Sequence, residues 1–278
     1  MRGDTGSARR LRGVAAAVAA VACTACLDTS TLVTVKPDGS GNIQQRILVS
    51  TDGLEDALGG MGFKSKGGST KKSGPPKVGD LRADTEKLGD GVELVSVEPV
   101  TAPAGFQGAV ATYSFPDIRK LRVDEFLTPG QPGGPANGGD SRTAFTFTKT
   151  PDGTALLSIV FDEKPKKKAK GDTATPKGGP GMDDAKTREM VRTLFRGFKV
   201  GLDVEVAGDI VRTNADHVNG RRITLMAFDM DALLADDSKL KHLDKVLSPD
   251  VSLAEARPLL AGIDGIKINK PIVKIEFR

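Results

Sequence analysis

The sequence predicts an α+β fold: mainly antiparallel sheet built from hairpins, a few covering helices, and long disordered loops rich in Lys, Gly and Pro. Three observations predict it. Strand-like runs arrive in pairs joined by tight turn signals, rather than alternating with helices as a parallel sheet requires. The runs at 42–49, 143–149 and 198–206 alternate apolar and polar residues, as strands with one buried face do. Segments at 78–88, 183–198, 231–247 and 253–260 instead repeat apolar residues at helical spacing.

The first hairpin joins TLVTVK (31–36) to NIQQRILV (42–49) through the run KPDGSG. Ile43, Gln45, Ile47 and Val49 alternate with Gln44, Arg46, Leu48 and Ser50. Asp38-Gly39 is a hairpin-turn signal, and Gly41 is suited to a positive φ at a bulge. A phosphate-cradling glycine loop leads from a strand into a helix. An EF-hand loop needs acids at alternating positions and a closing Glu. This run leads from strand to strand and carries Asp38 alone, so it reads as a turn.

A short apolar helix at 54–61 follows, then a helix at 78–88 marked by Val78, Leu81, Thr85 and Leu88 and ended by Gly89 or Gly91. Strands at 92–100 and 109–115 precede a gap rich in Gly, Pro and Asn at 129–140. A second clear hairpin pairs TAFTFTK (143–149) with TALLSIVF (154–161) through Pro151, Asp152 and Gly153, with Phe145 and Phe147 alternating with Thr146 and Thr148. The helix at 183–198 presents Met190, Val191, Leu194 and Phe195 as one apolar stripe. FKVGLDVEV (198–206) then sets Phe198, Val200, Leu202, Val204 and Val206 on one face. Asn219-Gly220 is a strong turn signal between DIVRTNA and RRITLMAF. Helices at 231–247 and 253–260 lead to a last strand at 271–277.

The chain has 278 residues and a formal charge of +4, but the positive excess is local. Residues 64–77 hold five Lys and no acid, and residues 164–177 hold six Lys and one Asp. The two tracts carry a net +10, so the rest of the chain carries −6. Both are too poor in apolar residues to order themselves by burial. They read as solvated loops, or as contacts for anionic lipid head groups or cell-wall polymer. With no Trp and one Tyr, the chain lacks aromatic residues interleaved with the lysines, and nucleic acid is not an expected partner.

The N-terminus begins MRGDTGSARRLRG, with Arg2, Arg9, Arg10 and Arg12. An Ala/Val run at 14–22 follows, too short to span a hydrocarbon core of about 30 Å. A basic start, a short apolar run and small residues describe an export signal. The two cysteines, Cys23 and Cys26, stand at its end. As a CxxC pair they lack the βαβ context of a redox motif and the further ligands of a zinc site. Ala20-Val21-Ala22-Cys23 instead resembles a bacterial lipoprotein signal, in which the cysteine is lipidated and the preceding segment is cleaved. Cys26 is the alternative acceptor, and fits less well because Cys23 occupies a position that is usually aliphatic. Each buried methylene contributes about 0.8 kcal/mol, so several acyl chains hold a protein firmly.

No GxSxG, HExxH or Walker A pattern occurs, and no cofactor is expected. His217 and His242 have no convincing third partner for catalysis. Asp229 and Asp231, in FDMDALLADD, are the weak candidates for a divalent cation; the alternative is that one of them caps the helix that follows.

Four elements occur together: the cysteine, then TLVTVKPDGSGNIQQRILVS, then GDGVELVSVEPV with GFQGAVATYSFPDIRKLRV, and LDVEVAGDIVRTNADHVNGRRITL. The combination resembles a group of uncharacterised bacterial lipoproteins, and the last segment is similar to LppM-type lipoprotein domains of mycobacteria. The resemblance implies an exported, anchored, sheet-rich domain and carries no catalytic residue with it. The Lys-rich insertions depart from it. The expected organisation is a signal peptide at 1–22, a tether at 23–30 and the domain at 31–278, with a subdivision into 31–162 and 183–278 around a linker at 163–182. The expected role is a non-enzymatic envelope lipoprotein, lipid-anchored to the cell membrane or outer membrane and facing the periplasm or exterior, that binds a partner or is structural. Its partners are the membrane, through the anchor, and an envelope protein or lipid. The alternatives are a module that binds a lipid or other apolar ligand, and a hydrolase whose site is assembled from distant segments.

Overall fold

The structure is a computed structural model, described here for residues 27–50, 85–103, 105–124, 142–162, 195–236 and 253–278, with 189 and 192. Leu27, Thr29, Thr31, Val33 and Val35 are all buried, and the residues between them are half-buried. That strict alternation makes a strand, β1 (Leu27–Val35), with one face in the core. It starts four residues before the 31–36 run that the sequence marks. The chain reverses at Lys36–Ser40 into β2 (Gly41–Ser50), in continuous antiparallel register from Val35↔Gly41 to Leu27↔Val49.

Three further pieces form the large sheet around this hairpin. β3 (Glu93–Ala102) and β4 (Phe106–Phe115) are a second hairpin, and β4 lies against β2 from Gly41↔Phe115 to Ser50↔Phe106. On the other side, β8 (Lys199–Val206) runs parallel to β1, from Asp28↔Lys199 to Val35↔Val206. β11 (Arg222–Asp229) pairs with β8, and β10 (Val218–Asn219) and β12 (Ile266–Ile268) pair with β11. The order is β10-β11-β8-β1-β2-β4-β3, with β12 on β11.

A second sheet has the order β5-β6-β7-β13-β9: β5 (Val123–Asp124), β6 (Arg142–Lys149), β7 (Ala155–Asp162), β13 (Ile272–Phe277) and β9 (Ile210–Thr213). Strands from both sides of 163–182 are present in each sheet. The two inner faces share one core. Ile43, Tyr113, Val204, Ile223 and Leu225 of the large sheet and Leu157, Ile159, Val273, Ile275 and Phe277 of the small one are almost wholly excluded from solvent. Each buried aliphatic or aromatic side chain of this size contributes about 1.5–3 kcal/mol, so sheet on sheet is the main packing term.

The fold is therefore mostly β, which corrects the α+β expectation. Among the described residues the α-helices are short: α1 (Thr85–Leu88), α2 (Met230–Leu234) and α3 (Leu253–Leu260). The physical reason is that the alternating runs of β6, β7 and β13 supply a second apolar sheet face, which among the described residues forms the main cover of the core. α2, α3 and β12 instead make a small separate cluster, Leu233, Leu234, Leu260 and Ile266, packed by Phe195, Phe228 and Ile263. The expected helix at 54–61 lies outside the described residues, as do most of those at 78–88 and 183–198 and the continuation of α2 towards 247.

A second correction concerns β9. The sequence suggests that DIVRTNA pairs with RRITLMAF across Asn219-Gly220. Instead β9 crosses to the small sheet and pairs with β13, and the short β10 takes its place beside β11.

The two ends of the sandwich differ. At one end the connections are tight: Lys36–Ser40 closes β1 to β2, Thr150–Thr154 closes β6 to β7, and Phe147 lies against Gly39. The Ile118 N–H donates to Gly39 O at 2.8 Å, tying a 3-10 turn (Ile118–Lys120) to the first hairpin. At the opposite end lie Leu27, Ser50, Phe106, Lys199 and Asp229, neighbours by strand register.

Candidate functional site

The acidic pair singled out in the sequence sits where β11 runs into α2. Asp229 has extended backbone angles and is the helix N-cap. Its Oδ1 accepts from the N–H groups of Asp231 (3.1 Å) and Ala232 (3.3 Å), satisfying donors that a helix start leaves open. Its Oδ2 accepts from Lys199 Nζ at 2.8 Å, the residue directly across the sheet. Asp231 accepts from the Gly197 N–H at 2.8 Å, which fastens the turn before β8 to α2. Both carboxylates are thus held by protein donors, and the arrangement organises a junction. Asp229 holds Lys199 above the usual ammonium pKa, chiefly through that hydrogen bond. Among the described residues, no group of three or more His, Cys, Asp or Glu is placed to hold a metal ion.

The turn residues divide by role. Asp38 accepts from Ser40 N–H (2.9 Å) and Ser40 Oγ (2.7 Å), and Gly39 has φ +88°. Asp152 accepts from Thr150 Oγ1, from Thr154 N–H (3.3 Å) and from Thr154 Oγ1 (2.9 Å), beside Gly153 at φ +85°. The same device closes both hairpins: a carboxylate folds back on the hydroxyl and N–H two residues on. The expectation for Gly41 is corrected. It is an in-register strand residue, not a positive-φ bulge. It is glycine because a Cβ there would stand 1.9 Å from Thr34 O. At the third turn, Asn219 is itself paired with Arg222, so the reversal centres on Gly220 (φ +60°) and Arg221, one residue later than the Asn-Gly signal suggests.

His217 lies in the segment before β10, where its carbonyl accepts from the Thr224 N–H at 3.0 Å. Cys23, Cys26 and His242 lie outside the described residues. Among the described residues no helix is long and apolar enough to cross a membrane.

Two features were not read from the sequence. Asn269, 1 % exposed, donates through Nδ2 to Thr224 O (3.1 Å) and accepts at Oδ1 from the N–H groups of Asp216 (3.0 Å) and Lys270 (2.9 Å). It ties the crossing from β12 to β13 to the segment between β9 and β10. Asn214, in the TNA motif, acts similarly on β13, donating to Ile272 O (2.9 Å) and accepting from Lys274 N–H (2.7 Å). The second feature is a cavity of about 160 Å³ between the 3-10 turn and β6, lined by Arg119, Arg122, Val123, Thr143 and Phe145. Thr143 Oγ1 is buried there without a hydrogen-bond partner. Arg119 is already engaged by Asp117, at 2.7 Å. The space suits a few water molecules, at about 30 Å³ each. No local motif marks either feature, because each is assembled from segments far apart in the chain.

No protein-family model matches the chain, and no curated protein matches it. Among solved structures it is similar to the NMR structure of the folded domain of LppM from Mycobacterium tuberculosis. The identity is 12 %, the match covers 72 % of this chain and 80 % of that one, and the TM-score is 0.30.

Proposed function

We propose that this protein is an exported envelope lipoprotein, anchored through acyl chains on Cys23 with Cys26 as the alternative acceptor, whose β-sandwich serves as a binding or structural module on the outer side of the membrane. The observation that carries this is the sequence Ala20-Val21-Ala22-Cys23 behind a basic start and a short apolar run, with the first strand beginning four residues later at Leu27. Its partner is an envelope protein or lipid. Asp229 and Asp231, the candidates for a cation, are taken up in capping α2 and fastening the turn before β8.

The test is fatty-acid labelling in a bacterial host that processes lipoproteins. The wild type is expected to incorporate label and to sediment with membranes. Cys23→Ala is expected to lose both, and Cys26→Ala to keep both. Absence of label from the wild type would remove the anchor from this reading.

A further inference from the structure

The cavity of about 160 Å³ between the 3-10 turn and β6 has a charged rim and a buried inner wall. Leu121, Val123, Thr143 and Phe145 are buried along it, while Arg119 and Arg122 are exposed. Two guanidinium groups therefore line the space, and no carboxylate does. The run PDIRKLRV sets both arginines on pinned backbone. Asp117 caps the turn, the Ile118 N–H donates to Gly39 O at 2.8 Å, and the Arg122 N–H donates to Leu88 O at 2.7 Å. Asp117 grips Arg119 through Nε and Nη2, which fixes the guanidinium and leaves Nη1 unbonded among the described residues. The same pair cancels the charge of Arg119, so the uncompensated charge is that of Arg122. Its guanidinium makes no hydrogen bond or ion pair among the described residues. Thr143 is 2 % exposed, and its Oγ1 has no hydrogen-bond partner. Buried hydroxyls are almost always bonded, so an unpaired one beside a cationic cavity marks a donor kept for something that enters.

We propose that this cavity binds a tetrahedral oxyanion, either free phosphate or the phosphoryl end of a small ester, through the Arg122 guanidinium, Arg119 Nη1 and the Thr143 hydroxyl. At about 30 Å³ per water molecule the space takes about five heavy atoms, as many as a phosphate ion has. Guanidinium groups donate paired N–H bonds to phosphate oxygens. The donors come from two segments, the 118–122 turn and β6, and an anion with oxygens in several directions meets them better than a planar carboxylate. The site gives the sandwich a ligand class and does not depend on acylation at Cys23.

The test titrates the full-length chain with inorganic phosphate and with glycerol 3-phosphate, in a low-salt buffer free of either, and reads binding by calorimetry and by the rise in Tm that a bound ligand produces. The wild type is expected to bind at one site per chain. Arg122→Gln is expected to weaken binding about tenfold. Lys149→Gln removes the same charge from β6 outside the cavity, and is expected to weaken it less than about twofold. Thr143→Val keeps the shape and removes the hydroxyl. It is expected to leave the Tm without ligand unchanged or higher, because that hydroxyl has no partner to lose, and to weaken binding about fivefold. Tighter binding of the ester than of phosphate supports the site with an organic phosphate as its ligand, and the reverse supports it with the free ion. No saturable binding of either compound, equal weakening in Arg122→Gln and Lys149→Gln, or unchanged binding in Thr143→Val overturns the site. None of these results touches the anchor, which fatty-acid labelling reads separately.

Discussion

Lys199 Nζ donates to Asp229 Oδ2 at 2.8 Å, while the other oxygen of the same carboxylate caps α2. One side chain thus joins a strand pair to a helix start. The two roles are separable by substitution. Both partners of the ion pair are more than one-third exposed, so the pair contributes at most about 1 kcal/mol. Asn retains a capping oxygen, whereas Ala does not. Asp229→Asn is therefore expected to cost less than about 1 kcal/mol and Asp229→Ala about 1–2 kcal/mol, read from urea unfolding midpoints. Equal losses in the two variants would show that the cap contributes nothing.

Asn269 is the buried polar residue on which the passage from β12 to β13 depends. Asn269→Ala leaves Thr224 O and the N–H groups of Asp216 and Lys270 without these partners. A buried group stripped of its partner costs about 1–3 kcal/mol, so a loss of about 3 kcal/mol is expected in urea unfolding. A loss below about 1 kcal/mol would mean that water replaces the side chain at no cost.

Gly41 and Gly153 are expected to lose very different amounts of stability on the same change. Gly41→Ala places a Cβ 1.9 Å from Thr34 O and 2.6 Å from the Phe115 ring, at the start of β2 between its two partner strands. It is expected to cost more than about 3 kcal/mol or to prevent folding, as backbone overlap in a core strand must. Gly153→Ala meets no atom within 4 Å and suffers only from its φ of +85°. A loss of about 1 kcal/mol in thermal unfolding is expected there.

Acid should weaken the turns. Asp38, Asp117 and Asp152 are held below the usual carboxylate pKa, chiefly by side-chain hydrogen bonds from Ser40, Arg119 and Thr150 respectively. A folded-state pKa that is lowered contributes stability above the unfolded value, about 3.9, and loses it as pH falls through the lower folded value. The Tm of the wild type is expected to drop below about pH 4. The triple variant Asp38→Asn, Asp117→Asn, Asp152→Asn is expected to have a lower Tm at neutral pH and a smaller further drop in acid. An unchanged acid slope would place the responsible carboxylates elsewhere.

Local pairing was legible in the sequence because its signals are local. The β1–β2 and β6–β7 hairpins follow from alternating residues on either side of Asp38-Gly39 and Asp152-Gly153. The parallel contact of β1 with β8 was not legible, because the two strands are separated by well over a hundred residues and nothing within either names its neighbour. β9 shows the same limit more sharply. Ile210 and Val211 read as a strand beside β11, but Asn214 and Thr213 bond to β13 and draw the segment into the other sheet.

The candidate acidic site shows why residue type alone was ambiguous. Asp229 and Asp231 at a strand-to-helix junction suit either a cation or backbone N–H groups. Which of the two they serve depends on whether Lys199 and Gly197 lie close by, and those residues come from another strand and the turn before it.

By itself the sequence determined where strands form, where they turn, and that a cysteine stands at the end of an export-like segment. These depend on neighbours a few residues apart, through alternation, turn chemistry and the order of charged and apolar runs. The tertiary structure alone decided that the sheet face is closed by a second sheet, that β1 lies beside β8, and that Leu27, Ser50 and Lys199 share one end. Those outcomes depend on which apolar faces exclude water together, and that choice is made among segments far apart in the chain.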